Sequence, residues 1–207
     1  MYRTFKKLTV LDQIASSDKV RRQIVDTAAN LYARKGFAST SIQEISEAAG
    51  VSLPVTYHYV KNKSEIMRLI MEDLLGAFRE NLTRELEDIQ DPEEKLAIAL
   101  VIYHRILDRE KEKVLLFYQK SASLDRASKT RIMQMEVDIS RIFAGILEDG
   151  IEQGLFRKVD VDLMAYNIII MAHMWVLKHW HFKNRLTLDQ YIDNQVATVF
   201  HALESSH

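Results

Sequence analysis

Thr40-Ser41-Ile42-Gln43-Glu44-Ile45-Ser46-Glu47-Ala48-Ala49-Gly50-Val51-Ser52-Leu53-Pro54-Val55-Thr56-Tyr57-His58-Tyr59-Val60, followed by Lys61-Asn62-Lys63-Ser64-Glu65, is the stretch whose reading decides the fold. Ser41 with Glu44 after it forms a capping box, hydroxyl and carboxylate each satisfying an orphan amide at a helix start. A short helix is expected from Ile42 to Ala49, with Ile45, Ala48 and Ala49 as its apolar face. Gly50 ends it, because glycine takes the left-handed conformation at no steric cost. Val51 then turns inward as the pin of the turn. Ser52 is placed to cap a second helix, with Pro54 in its first turn, where a missing amide hydrogen costs nothing. Val55 to Val60 complete that helix.

Two helices joined by a short glycine turn are the unit that lays its second helix in a DNA major groove. Tyr57, His58 and Tyr59 are consecutive hydrogen-bonding aromatics on a helix too short to bury them all. Lys61 and Lys63 follow as phosphate-neutralising cations. The same spacing also suits an amphipathic hairpin of some other all-helical protein.

Ile45-Ser46-Glu47-Ala48-Ala49-Gly50-Val51-Ser52 and Tyr57-His58-Tyr59-Val60-Lys61-Asn62-Lys63-Ser64-Glu65 resemble the amino-terminal signature of TetR-family transcriptional regulators, over about Val20 to Leu69. The resemblance implies an all-α homodimer with a three-helix DNA-binding head and a larger carboxy-terminal body that binds an inducer and dimerises. On that plan residues 1–17 are an extension, 18–63 the head, and 64–207 the body. Ser41, Ser52 and Lys63 would join the DNA contact, Tyr57 and Tyr59 would orient the recognition helix on the sugar-phosphate backbone, and Leu53, Pro54, Val55 and His58 would approach base edges. One departure is visible. The family usually carries Thr and then an aliphatic residue before the tyrosine, whereas this chain has Val55 and then Thr56, which puts the usual Thr backbone contact in doubt and offers Val55 to a thymine methyl.

Composition agrees with a helical soluble protein: 207 residues, 47% hydrophobic and 28% charged, with six Gly and two Pro. The formal net charge of −1 hides an asymmetry. Through Lys63 the chain carries ten Lys or Arg against five acids, a net +5, and the remainder carries −6. A basic head on an acidic body is what a DNA-binding module with a separate non-DNA domain needs. The absence of cysteine removes thiolate chemistry and cysteine-based metal sites and fits a reducing cytoplasm. No apolar run approaches a membrane span, so a cytoplasmic location with no membrane partner is expected.

Working outward, Met1 to Ser16 suit an extra helix, a basic arm or disorder. Asp18 is placed to cap a first firm helix that stops at Gly36, and Arg21 and Arg22 near its start suit either phosphate contact or solvent. Ser64 should cap a long helix to about Gln90, with one apolar stripe for the head and another for the body. That helix is the natural lever between them. Pro92 opens a helix that is apolar all round from Leu96 to Tyr103 and therefore central. Further helices are expected over 113–123, 125–153, 161–182 and 187–203, nine in all, with no strands.

The body offers no Gly-rich phosphate loop, nucleophile elbow or His-Glu-x-x-His motif, so neither an enzyme nor a cofactor is expected. His179 and His181, two apart on a helix, point in different directions and make no metal site. Residues rich in Met, Phe, Tyr and His suit plain core or an adaptable lipophilic pocket equally, and the family resemblance favours a pocket for a small lipophilic or aromatic effector. Met71, Phe78, Tyr103, Phe117, Phe143, Tyr166, Ile170, His173 and Leu177 are its candidate lining. The penultimate helix is apolar on two faces. Tyr166, Ile170, His173, Leu177 and Trp180 are assigned to the pocket. Met164, Ile168, Met171 and Trp175 are assigned to a homodimer seam shared with the last helix.

Overall fold

The structure, a computed structural model, describes the backbone of residues 2–204 and the side chains of 19–122 and 124–204. The described residues form ten α-helices and no strand: α1 Tyr2–Lys35, α2 Ile42–Ala48, α3 Leu53–Tyr59, α4 Lys63–Leu86, α5 Pro92–Arg109, α6 Lys111–Lys120, α7 Arg126–Glu152, α8 Val161–Leu177, α9 His179–Phe182 and α10 Leu188–Leu203. A 3₁₀ turn, Ser121–Ser123, joins α6 to α7.

Several boundaries differ from expectation, three of them for a reason the structure shows. The first helix does not start at Asp18; it runs unbroken from Tyr2 to Lys35, because no Gly or Pro interrupts the chain before Gly36, whose φ of 85° ends it. The long helix is capped by Asn62, whose side chain accepts from Glu65 N at 2.9 Å, so that Ser64 lies inside the first turn. The expected penultimate helix breaks at Lys178, which turns the count from nine to ten. No breaker residue sits there. The chain is bent back instead by tertiary packing: the rings of Phe182 and Tyr191 lie 5.1 Å apart, as do those of Trp175 and Tyr191.

The head is α1 to α3 packed on the first half of α4. Its core is Ile24, Val25, Ala28, Tyr32, Ile45, Thr56, Val60 and Ile66, all at most 2% exposed. The body packs α5 and α7 against α4, and α8 against α5 and α7. α5 is the most enclosed element, burying Leu96, Ala99, Leu100, Tyr103, His104, Ile106 and Leu107. α1 also touches the body directly through α6. Arg21 donates to Asp73 of α4 at 2.9 Å, and Lys113 of α6 donates to Asp26 of α1 at 2.9 Å. The arginine considered for a phosphate therefore ties the head to α4.

Candidate functional site

The turn between α2 and α3 has the expected chemistry. Ser41 and Glu44 form a full capping box. Hydrogen bonds to the Ser41 amide, to Lys35 and to the Ser41 hydroxyl hold the Glu44 carboxyl down at about 2. At the other end of α2, Gly50 takes φ 65°, its amide donates to Glu47 O, and the Val51 amide donates to Ser46 O at 3.0 Å, the paired bonds of a Schellman stop. Ser52 occupies the position before α3, yet its side chain makes no capping bond. Thr56, the residue that departs from the family pattern, is fully buried. Its hydroxyl accepts from Ser46 Oγ at 2.9 Å and donates to the Ser52 carbonyl at 3.3 Å, pinning α3 on α2.

With Thr56 and Val60 turned in, the other side chains of α3 face out. Val55 is 42% and Tyr57 51% exposed, Pro54 and His58 are exposed, and Leu53 and Tyr59 are half-buried. Ser41 and Ser52 are exposed beside them, though the Ser41 hydroxyl is engaged in its capping box. One expected residue is used otherwise. Lys63 Nζ donates to the carbonyls of Phe37, Ala38 and Thr40 at 2.7, 3.0 and 2.8 Å and lies 4.8 Å from the centre of the Phe37 ring. All three ammonium hydrogens are spent on the loop that follows α1, whose carbonyls have left the helix ladder without partners. Lys63 is thus a clamp from α4 to the head. A sequence signal existed: a cation at the first position of a helix opposes the macrodipole and needs another reason to be there.

In the body, α4, α5, α6, α7 and α8 line a cleft with about 70 Å³ of free interior. Phe78, Tyr103, Phe117, Tyr166, Ile170 and His173 of the expected set line it. Met71 and Phe143 do not; they are 1% and 0% exposed, packed behind the wall, with the Phe143 ring edge-on to Tyr103 at 5.5 Å. Leu177 lies beyond the cleft, near the end of α8. Sequence reasoning missed Leu74, Leu75, Val114, Tyr118, Glu136, Ile139 and Ile169, which complete the lining. The neighbours Met71 and Leu75 sit one turn apart on α4, so only the direction of the neighbouring helices decides which of them meets the void.

The polar part of the wall is organised by His173. Tyr103 Oη lies 2.8 Å from its Nε2 and Tyr118 Oη 2.6 Å from its Nδ1. A neutral imidazole has one N–H and one lone pair, so it donates to one tyrosine and accepts from the other. Burial, aided by His104, lowers its pKa to about 4. Burial likewise pushes the Tyr103 and Tyr118 hydroxyls up. Both ring nitrogens are committed, which leaves His173 as a spacer holding two phenols in place.

α8 divides its faces differently from the expected plan. Ile168 and Trp175 are 1% and 4% exposed, and Trp175 Nε1 donates to Asp108 at 2.8 Å within the same chain. The face assigned to a subunit seam is therefore core. The outer face instead carries Leu163, Tyr166, Ile170 and Met174, exposed by 60, 41, 50 and 39%, and continues to Trp180 at 70%. Tyr166 and Ile170 belong to both that face and the cleft. Among the described residues no helix is long and apolar enough to cross a membrane, and no three His, Asp or Glu are grouped to hold a metal.

A helix-turn-helix head on an all-α body with an internal cleft defines a one-component transcriptional regulator, and the chain belongs to the TetR family. Residues 24–70 match the model of bacterial regulatory proteins of the tetR family, and 90–203 match the tetracyclin repressor-like C-terminal domain. It is similar to the HTH-type transcriptional regulator HbdR of Aromatoleum sp. (strain CIB), 29% identical over 84% of this chain and 76% of that one. It is also similar to the HTH-type transcriptional repressor KstR2 of Rhodococcus jostii (strain RHA1), 24% identical over 95% and 97%. Among solved structures, AibR in complex with isovaleryl coenzyme A and operator DNA superposes with a TM-score of 0.75 at 26% identity, over 89% of this chain and 100% of that one.

Proposed function

We propose that this regulator is a cytoplasmic homodimeric repressor, released from a near-palindromic operator when a small lipophilic or aromatic effector fills the cleft. Residues 18–63 serve DNA, with Ser41, Ser52, Leu53, Pro54, Val55, Tyr57, His58 and Tyr59 at the contact, and 64–207 serve effector and dimer. The observation that carries this is the continuity of α4. Its first residue, Lys63, clamps the loop between α1 and α2, while Leu74, Leu75 and Phe78 of the same rod wall the cleft. Those points are separated by about 20 Å at 1.5 Å per residue. A ligand that displaces Phe78 moves a lever already bonded to the head. Such coupling is a population shift, so the effector binds the DNA-free arrangement more tightly.

The exposed apolar face of α8 supports the dimer, since a stripe of that length is normally covered. The bound isovaleryl coenzyme A of AibR supports an acyl thioester among the effector classes to try. A non-inducible architectural factor with the same head would need no cleft walled by its lever helix.

Selection of bound duplexes from random DNA yields the operator. Release is then scored with a panel of short acyl and aryl thioesters on the wild type and on Phe78→Ala. Val55→Thr should change the preferred base at one position in each half-site. A selected motif without two-fold symmetry, or release that ignores the cleft variant, would sink the reading.

A further inference from the structure

One carboxylate stands in the cleft wall. Glu136 of α7 stands at the helical spacing of the buried Ile132 and Ile139, so its side chain turns to the same interior. It lines the cleft, yet among the described residues it makes no hydrogen bond and no ion pair. The arginines five residues to either side along α7, Arg131 and Arg141, face Glu72 and Asp138 instead. Burial raises the Glu136 pKa, and its charge is felt by Tyr103 and Tyr118, which places it on their side of the cleft. A half-buried carboxylate facing phenyl and aliphatic walls is costly to leave unmatched. The tyrosines do not relieve it: one donates to His173 and the other accepts from it, and neither hydroxyl is hydrogen-bonded to the carboxylate.

We propose that the buried end of the effector is an apolar, ring-sized group bearing a hydrogen-bond donor, a hydroxyl or an ammonium, which the Glu136 carboxylate receives. The proposal rests on reading the cleft as the effector site. The size follows from the small freely accessible space, and the donor follows from an acceptor that nothing in the wall satisfies. An anionic group at that end is repelled.

The test is ligand-observed NMR on the full chain with m-cresol, its donor-free counterpart m-xylene, 3-methylbenzylammonium and 3-methylbenzoate. The wild type should bind m-cresol or the ammonium about tenfold or more tightly than m-xylene, the worth of one hydrogen bond to a charged acceptor. The benzoate should bind worst. Whichever donor binds better identifies the group. Glu136→Gln keeps the shape and an acceptor and should retain a reduced preference, whereas Glu136→Leu should bind m-xylene at least as well as m-cresol. Equal binding of m-cresol and m-xylene by the wild type, or a preference that survives in Glu136→Leu, overturns the proposal and leaves the effector site standing. Failure of every probe to bind, or binding that Ile170→Trp does not block, overturns both.

Discussion

Replacing Lys63 by Met separates a structural clamp from a phosphate contact. The methionine keeps the aliphatic stem over Phe37 and removes only the ammonium with its three bonds to Phe37, Ala38 and Thr40. The bond to Ala38 is exposed and readily replaced by water, while those to Phe37 and Thr40 are partly buried. Two bonds from a charged donor at about 1.5 kcal/mol each, less roughly 1 kcal/mol of recovered side-chain entropy, leave about 2 kcal/mol of lost stability. For a chain of this size that lowers Tm by about 4–8 °C. Thermal unfolding followed by circular dichroism measures it, and titration of a random duplex across salt concentrations measures the second quantity. The clamp predicts a fall in Tm with a log–log salt slope changed by well under one. A phosphate contact predicts the opposite, an unchanged Tm and a slope flatter by about one. An unchanged Tm together with the flatter slope would refute the clamp.

Two further outcomes follow from the body. Gly150→Ala places a Cβ against the ring of Phe156, which is 4% exposed and has no room to retreat, so urea unfolding should show a loss of about 2 kcal/mol; an unchanged midpoint would mean the ring moves freely. His173 is neutral in the fold with a pKa near 4 against about 6.5 when unfolded, so the unfolded chain takes up the proton first. Its contribution is complete above about pH 6.5 and is lost as pH falls towards 4, with His104 acting in the same direction. His173→Asn should flatten the fall in stability between those pH values, and an identical slope in the variant would assign the dependence elsewhere.

The elements legible in the sequence are those that local chemistry determines. The capping box at Ser41, the glycine stop at Gly50, the proline start at Pro92 and the cap at Thr187 are each set within a few residues of backbone. The break at Lys178 was not legible, because it is imposed by rings from α8, α9 and α10 meeting at Trp175, Phe182 and Tyr191. The same limit governs the cleft. Aromatic positions on α4, α5 and α6 identified Phe78, Tyr103 and Phe117, but nothing in the sequence marks Glu136 among the several carboxylates of α7. Only the rotation of α7, set by packing of Ile132, Ile139 and Phe143, turns it inward. Thr56 is the converse case. Its place one residue late put the usual Thr backbone contact in doubt, and its hydroxyl is the hydrogen-bonded seam between α2 and α3.

The outer face of α8 gives the prediction that tests the assembly. Leu163, Tyr166, Ile170 and Met174 recur at helical spacing and remain exposed, and Trp180 extends the row. The outer side of α10 is different: Asp193, Asn194, Thr198 and His201 are exposed there, while Tyr191, Ile192, Val199 and Leu203 face this chain's own core. A partner subunit would therefore be gripped mainly by α8 and α9, with α10 supplying a polar rim. The two tryptophans report the two environments. Trp175 is enclosed by His179, Phe182 and Tyr191 and bonded to Asp108, whereas Trp180 is 70% exposed in the isolated chain. In Trp175→Phe, which leaves Trp180 as the only indole, emission should shift to the red on dilution through dimer dissociation. In Trp180→Phe, the remaining Trp175 should hold its wavelength over the same range. Ile170→Asp, a charge in the middle of the stripe, should weaken association at least tenfold by sedimentation, the least a buried unpaired charge costs an interface. A Trp180 emission that ignores dilution, in a protein that sediments as a dimer throughout, would move the seam off this face.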